Sequence, residues 1–157
     1  MGLPLRVLLV DDSSRDALRI LRELRRSTFQ LFSKTVATVE SLGQALDTDS
    51  WDILLVKDTL RNCSGLDVLR HVRQQHLDLP VMMISRNAGA ELAATAMRAG
   101  ALDFVTFRDL YRLIPAIERE VRDADIRREH RQAEEQLYRL NTELQKRIRQ
   151  RTAELEA

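Results

Sequence analysis

The chain has 157 residues, of which 44% are hydrophobic and 31% charged, a composition typical of a globular protein. Its 25 Lys and Arg residues almost balance its 24 Asp and Glu residues, so bulk charge predicts binding neither to nucleic acid nor to an anionic membrane. No apolar run approaches the roughly 18 residues of a membrane span, and no signal-peptide pattern opens the chain. The single cysteine, Cys63, cannot form an internal disulfide. We therefore expect a soluble cytoplasmic protein.

Short apolar runs alternate with amphipathic segments along the first two thirds of the chain. The strand candidates are residues 5–10, 30–36, 52–56, 80–84 and 103–106. The helix candidates are a segment behind Ser13 or Ser14, residues 39–46, residues 66–75 behind Ser64, and residues 91–99 before Gly100. Such alternation predicts an α/β fold with a five-stranded parallel, doubly wound sheet that helices cover on both faces.

The residues that directly follow the strands are the candidate functional residues. In a doubly wound parallel sheet, ligands bind outside the carboxyl ends of the strands. The candidates at these ends are Asp11, Asp12, Lys57, Asp58, Ser85, Arg86 and Phe107.

After Asp109 the sequence is helical to its end, with Pro115 in the first turn, where its missing N–H loses no partner. Apolar residues recur at steps of three and four, and the extra four-residue step from Leu144 to Ile148 is typical of a stutter in a heptad pattern. The predicted seam comprises Ala133, Leu137, Leu140, Leu144, Ile148 and Leu155, and Ile126 and His130 precede it.

This seam predicts that residues 1–122 form one domain and that residues 123–157 form a coiled-coil helix or linker. We expect the helix to pair with its copy in a homodimer, most simply in parallel, although the sequence leaves the orientation open. The alternative is a solvated helix held by Glu–Arg pairs, but such isolated helices are marginal in water.

Four segments carry a family resemblance: "LLVDDSS", "DILLVKDTLRNCSGLDVLR", "PVMMIS" and "AMRAGALDFV". In order and spacing they resemble the receiver domain of two-component response regulators, which implies a flavodoxin-like receiver fold. The tail "LNTELQKRIRQRTAELEA" resembles the signalling helix that links a receiver to a sensory, kinase or cyclic-nucleotide output domain. We therefore expect the chain to be the N-terminal part of a larger sensor, kinase or output protein.

The resemblance implies a phosphoryl-transfer site that this chain has altered. The family uses an acidic pair for Mg²⁺, matched here by Asp11 and Asp12, and an acceptor aspartate for the phosphoryl group. In the family the acceptor lies five residues after the aspartate of the third strand and eight residues before the loop glycine. Counted from Asp52 and from Gly65, both distances lead to Lys57. The acceptor aspartate is therefore replaced by a lysine.

Other positions of the family pattern also differ. The family's phosphate-binding lysine, counted from Gly100, is replaced by Phe107, and Arg61 stands where a proline is usual. The hydroxyl residue is retained as Ser85, but Arg86 follows it where a small residue is usual.

From these differences we predict a pseudo-receiver without catalytic residues, metal or cofactor. Lys57 would lie between Asp11 and Asp12 as an internal counter-ion, and Arg86 would neutralise the remaining charge. The alternative is an active receiver in which a bulge re-aims Asp58 to accept the phosphoryl group, with Mg²⁺ held by the acidic pair.

One aromatic residue and the three histidines complete the list of candidate positions. Phe104 occupies the position of the family's rotating aromatic switch, although an aromatic residue there also fits simple core packing. His130 lacks the neighbours of a kinase histidine and is predicted to lie in the seam or on the surface, and His71 and His76 are predicted surface residues.

The predicted function is signal transduction by a non-catalytic interaction and dimerisation module of a two-component phosphorelay. The predicted partners are a second copy and a signalling protein or adjacent output domain. Neither nucleic acid nor membrane is expected as a partner, because the tail combines mixed charge with a leucine seam rather than a recognition helix.

Overall fold

The computed structural model describes residues 2–75, 78–87 and 89–156. The strands are β1 (Pro4–Val10), β2 (Gln30–Val36), β3 (Ile53–Lys57), β4 (Val81–Ser85) and β5 (Asp103–Thr106). The helices are α1 (Ser14–Leu24), α2 (Val39–Thr48), α3 (Gly65–Gln75), α4 (Ala90–Arg98) and α5 (Leu113–Glu156), and a 3₁₀ segment (Phe107–Arg112) precedes α5. All five predicted strands and the helices between them are confirmed.

The strands form one parallel sheet in the order β2-β1-β3-β4-β5. This order confirms the predicted doubly wound, flavodoxin-like fold, and its switch point lies between β1 and β3. Every residue of β3 and β4 is buried, as expected for central strands covered by helices on both faces. The carboxyl ends of β1, β3 and β4 therefore converge on one edge of the sheet.

Side-chain caps explain where α1, α2 and α3 begin. The Ser13 hydroxyl accepts a hydrogen bond from the Asp16 N–H at 3.3 Å and caps α1. Thr38 and Ser41 form a capping box at α2, and the Ser64 hydroxyl accepts the Asp67 N–H at 3.1 Å at the start of α3. The predicted caps at Ser13 and Ser64 are thus present.

Two glycines occupy backbone positions that other residues would strain. A Cβ added to Gly65 would lie 2.3 Å from the Lys57 carbonyl oxygen, so only glycine lets α3 begin this close to the end of β3. Gly100 has a φ of +105° after α4. The first of these glycines fixes the loop that follows the acceptor position.

The chain divides into two compact units, one ending at Glu118 and the other beginning at Arg119. The boundary predicted between residues 122 and 123 lies in the same helix, α5. His71 is exposed on α3, whereas His76 lies outside the described residues. No helix among the described residues combines the length and the apolar character needed to cross a membrane.

Candidate functional site

The remnant pocket consists of the seven strand-end residues Asp11, Asp12, Lys57, Asp58, Ser85, Arg86 and Phe107. Three of the polar or charged members are almost fully buried: Asp11 is 3% exposed, Lys57 8% and Ser85 0%. Charged side chains at this depth require partners, since desolvation of an isolated charge is expensive. Their partners therefore determine what the pocket can do.

Lys57 is held by two carboxylates, but only one of them is a predicted partner. Its Nζ lies 3.6 Å from Asp11 Oδ1 and 2.6 Å from Oδ2 of Asp16, which lies in the first turn of α1. The prediction that Lys57 lies between Asp11 and Asp12 is therefore right for Asp11 and wrong for Asp12, because the second carboxylate is that of Asp16. Asp12 instead accepts a hydrogen bond from the backbone N–H of Arg61 at 2.5 Å, because it faces the loop after β3.

Arg86 completes the cluster by binding the same aspartate as Lys57. Its Nη2 lies 2.5 Å from Asp16 Oδ1 and its Nε lies 3.1 Å from Oδ2, so the guanidinium binds both carboxylate oxygens. The Arg86 side chain is 60% exposed, whereas that of Asp16 is 1% exposed. Asp16 thus joins the end of β3 to the loop after β4 through two cations.

The pKa shifts follow from these contacts. Burial alone would raise the pKa of Asp16, but hydrogen bonds from Arg86 and Lys57 lower it below its ordinary value. Burial alone would lower the pKa of Lys57, but its hydrogen bond to Asp16 and the negative charge of Asp11 raise it. Both partners are therefore held in their charged forms.

The negative charge of Asp11 is less well compensated by its neighbours than that of Asp16. Burial raises its pKa, and the Ser13 N–H at 2.8 Å together with Lys57 only partly offsets that effect. Its Oδ2 is buried and has no hydrogen-bond partner among the described residues. Asp11 is therefore the more weakly stabilised of the two buried carboxylates.

Asp58 contacts the hydroxyl residue of the remnant pocket. Ser85 Oγ lies 2.7 Å from Asp58 Oδ2 and accepts the Asn87 N–H at 3.0 Å. The Asp58 N–H donates to the carbonyl oxygen of Ile84 at 2.9 Å and so extends the β3–β4 ladder past Lys57. The Asp58 carboxylate consequently lies at the sheet edge beside Ser85.

The two aromatic positions have different surroundings. The Phe107 ring is buried beneath two guanidiniums, with Arg19 Cζ 4.9 Å and Arg86 Cζ 5.9 Å from its centroid. Phe104 packs in the hydrophobic core, and a switch role for it stays a prediction.

In the described part of the chain, no three His, Cys, Asp or Glu side chains form a group that could hold a metal ion. The acidic pair is split, because Asp11 faces Lys57 and Asp12 binds the Arg61 backbone. The pocket departs from the family's metal site in this respect.

The sequence model of the response regulator receiver domain family matches residues 7–117. The chain belongs to this family. It carries a receiver domain of two-component signalling, and the counts from Asp52 and Gly65 put Lys57 at the acceptor position of that domain.

Comparison with individual proteins agrees with this family. The C4-dicarboxylate transport transcriptional regulatory protein DctD of Pseudomonas aeruginosa is 37% identical over 103 residues, which are 63% of this chain and 21% of that protein. The response regulator protein PilR of the same organism is 31% identical over 101 residues, 64% of this chain and 22% of PilR. The chain thus spans about a fifth of the length of these relatives.

A solved receiver domain from Clostridium thermocellum has the same fold. It superposes with a TM-score of 0.68 at 20% sequence identity, covering 78% of this chain and 98% of that one.

Asp16 is a residue of this charged cluster that was not predicted from the sequence, because the candidates were taken from the ends of the strands and Asp16 lies in α1. A signal was present, since Asp16, Ile20 and Leu24 are spaced four apart and lie on the buried face of α1. A carboxylate on an apolar helix stripe requires a buried cation nearby.

The predicted seam residues lie along one exposed row in the unit that begins at Arg119. Leu137, Leu140, Leu144 and Ile148 are each more than half exposed. The row is unusual because large apolar side chains are rarely this exposed in succession.

Proposed function

We propose that this receiver domain is degenerate and acts as a non-catalytic interaction and dimerisation module of a two-component phosphorelay. In this proposal it is not an enzyme, uses no cofactor, and works in the cytoplasm through a second copy and a signalling protein or adjacent output domain. The observation that carries the proposal is the bridge from Lys57 through Asp16 to Arg86 at the acceptor position.

The bridge supports loss of phosphoryl acceptance on chemical grounds. Phosphoryl transfer needs an ionised acceptor and cations that neutralise the transferred charge. The acceptor position holds an ammonium group, which is not a substitute for the carboxylate. The position of the family's phosphate-binding lysine holds the Phe107 ring, which carries no charge.

The same residues do not fit a divalent metal ion. Mg²⁺ requires oxygen ligands in near-octahedral geometry, and one or two carboxylates usually supply the protein's share. Asp11 is the best remaining ligand because its Oδ2 has no hydrogen-bond partner among the described residues. However, the Lys57 ammonium lies 3.6 Å from its other oxygen and would repel a second cation.

The test is incubation of the purified chain with acetyl phosphate and Mg²⁺, read by intact mass, for the wild type and for Lys57→Asp. We expect no mass increase in the wild type. A phosphoryl group gained by Lys57→Asp alone would support the proposal further, since it would assign the loss of function to this one position. Phosphorylation of the wild type would contradict the proposal.

One observation favours a second candidate, an active receiver that uses Asp58. The Asp58 carboxylate lies 2.7 Å from Ser85 Oγ, and the family's hydroxyl contacts the phosphoryl group. Asp58→Asn distinguishes the two candidates, because it would abolish any wild-type phosphorylation only if Asp58 is the acceptor. Asp12→Asn would also reduce that phosphorylation if the acidic pair holds Mg²⁺.

Pairing through α5 is the second part of the proposal. It is supported by the row of Leu137, Leu140 and Leu144, whose side chains are each more than half exposed and recur at heptad spacing. A parallel pair would bring two copies of the row together and would connect two receivers to whatever lies beyond the helix. The stutter at Leu144 and Ile148 suits a signalling role, because small helix rotations there exchange the residues that face inward.

The relative DctD is a transcriptional regulatory protein, which suggests a role in transcription. Our proposal does not include this role, because the match covers only 21% of DctD.

A further inference from the structure

His130 is a polar residue in the proposed seam, and the degenerate-receiver function does not account for it. The steps of three and four residues place Leu137 and Leu144 at heptad position a. They place Ala133 and Leu140 at heptad position d. Counting back seven residues from Leu137 makes His130 an a position as well. In a parallel pair the two His130 side chains therefore face each other across the seam.

The flanking residues make this layer unfavourable for pairing unless a cation is present. Glu129 and Glu134 occupy the g and e positions around His130. In a parallel coiled coil, a g residue faces the e residue five positions later on the other helix, so Glu129 of each copy faces Glu134 of the other. Two imidazoles are thus enclosed by four carboxylates.

Protonation of the imidazoles would offset only two of the four carboxylate charges, and it would place two positive charges side by side at the two a positions. A divalent metal ion would satisfy the imidazole lone pairs and neutralise carboxylates at the same time. Imidazole nitrogen and carboxylate oxygen are both ordinary zinc ligands.

The geometry within one helix already fits two ligands of one metal ion. Residues at i and i+4 lie on the same helix face, and His130 Nδ1 lies 3.5 Å from Glu134 Oε1. Two ligand atoms bound at about 2.0–2.1 Å to a tetrahedral ion lie about 3.4 Å apart. The observed spacing is also too long for a good hydrogen bond, so the pair is not already satisfied by one.

Both side chains are accessible, with exposures of 74% for His130 and 67% for Glu134. One chain supplies two ligands here, consistent with the finding that no group of three metal-binding side chains occurs among its described residues. A second copy would raise the number to four, which is the coordination number of structural zinc sites.

We infer that His130 and Glu134 of two copies form an intersubunit site for a zinc-like divalent transition metal ion, which holds the two α5 helices together in parallel. The inference rests on the proposed dimer. It makes helix pairing dependent on a metal ion as well as on the apolar seam.

The test is sedimentation velocity of the full chain, first in metal-free buffer with EDTA and then with Zn²⁺. We expect Zn²⁺ to lower the dimer dissociation constant by about tenfold or more, with one ion bound per two chains. His130→Ala and Glu134→Gln should each lose this response. Glu135→Gln is the matched control, because it removes the same charge from an adjacent position outside the seam and should respond as the wild type does.

Substitution of Co²⁺ gives an independent readout, since a tetrahedral site produces a strong visible absorption that His130→Ala should abolish. A dimer that forms without metal and ignores Zn²⁺ would overturn the metal site and leave the dimer proposal standing. A chain that stays monomeric with and without Zn²⁺ would overturn both. The metal site would also be overturned if acidification from pH 7.5 to 5.5 in metal-free buffer tightened dimerisation and addition of Zn²⁺ did not.

Discussion

The remnant pocket and the exposed row on α5 both depart from the usual distribution of polar and apolar residues, but in opposite directions. The pocket buries charges, and each buried charge there has an opposite charge within the same chain. The row exposes leucines, and Leu137, Leu140 and Leu144 each have more than half of their surface exposed. The first departure is compensated internally and predicts stability effects, whereas the second predicts an interaction with another molecule.

The strongest test of internal compensation is Lys57→Met. Removing the ammonium leaves Asp16 and Asp11 buried with one fewer cation, so we expect a loss of about 3–5 kcal/mol in the free energy of unfolding. Urea denaturation measures this change. Lys34→Met is the matched control, because Lys34 is exposed on β2 and its loss should change stability by less than about 0.5 kcal/mol.

A double variant makes this test sharper. Lys57→Met combined with Asp16→Leu removes both charges, and it should be more stable than Lys57→Met alone, because no uncompensated carboxylate remains at Asp16. Equal stability of Lys57→Met and Lys34→Met would show that the pocket is not held together by the Lys57 pairs.

Leu140→Asp tests the exposed row. It places a charge in the proposed seam and should weaken dimerisation by about 2–5 kcal/mol, which is more than tenfold in the dissociation constant. Light scattering across a concentration series measures the dimer fraction. Tyr138→Asp introduces the same charge at an exposed position outside the seam and should leave the dimer intact. If both variants dimerise equally, the row is not the interface.

The two buried carboxylates should respond to acid in opposite ways. The pKa of Asp16 is lowered in the fold, so its stabilising contribution is present above the unfolded carboxyl pKa and is lost as pH falls through the folded value. The pKa of Asp11 is raised, so protonation as pH falls through its folded value favours the fold. The net acid dependence combines these two opposed effects.

Urea denaturation between pH 7 and pH 3 separates them. Asp16→Asn should lower stability by about 1.5–3 kcal/mol at pH 7 and make it fall less on acidification. Asp11→Asn should make stability fall more steeply, because it removes the group whose protonation opposes the decline. The same slope in both variants would contradict the assignment of the two carboxylates.

The fold was predictable because its signals are local: the apolar runs marked the strands, and Ser13, Ser64 and Gly100 marked helix ends. The pocket was predictable only in part. Lys57 and Ser85 could be predicted because each lies at the carboxyl end of an apolar strand, but the partner of Lys57 lies in α1 and is brought to it by the packing of that helix. The partner of Asp12 is a backbone N–H, which no side-chain pattern reveals.

Arg86→Gln should have the smallest effect and tests how far internal compensation extends toward the surface. Arg86 binds both oxygens of Asp16, but its side chain is 60% exposed and Lys57 continues to neutralise the carboxylate. Water and salt screen an exposed charge, so the stability loss should be well below that of Lys57→Met and should shrink as salt concentration rises. Arg98→Gln, at an exposed position on α4, is the control. If Arg86→Gln lost no more stability than the Arg98→Gln control, Lys57 alone would compensate the charge of Asp16, and the contact of Arg86 with Asp16 would not stabilise the fold.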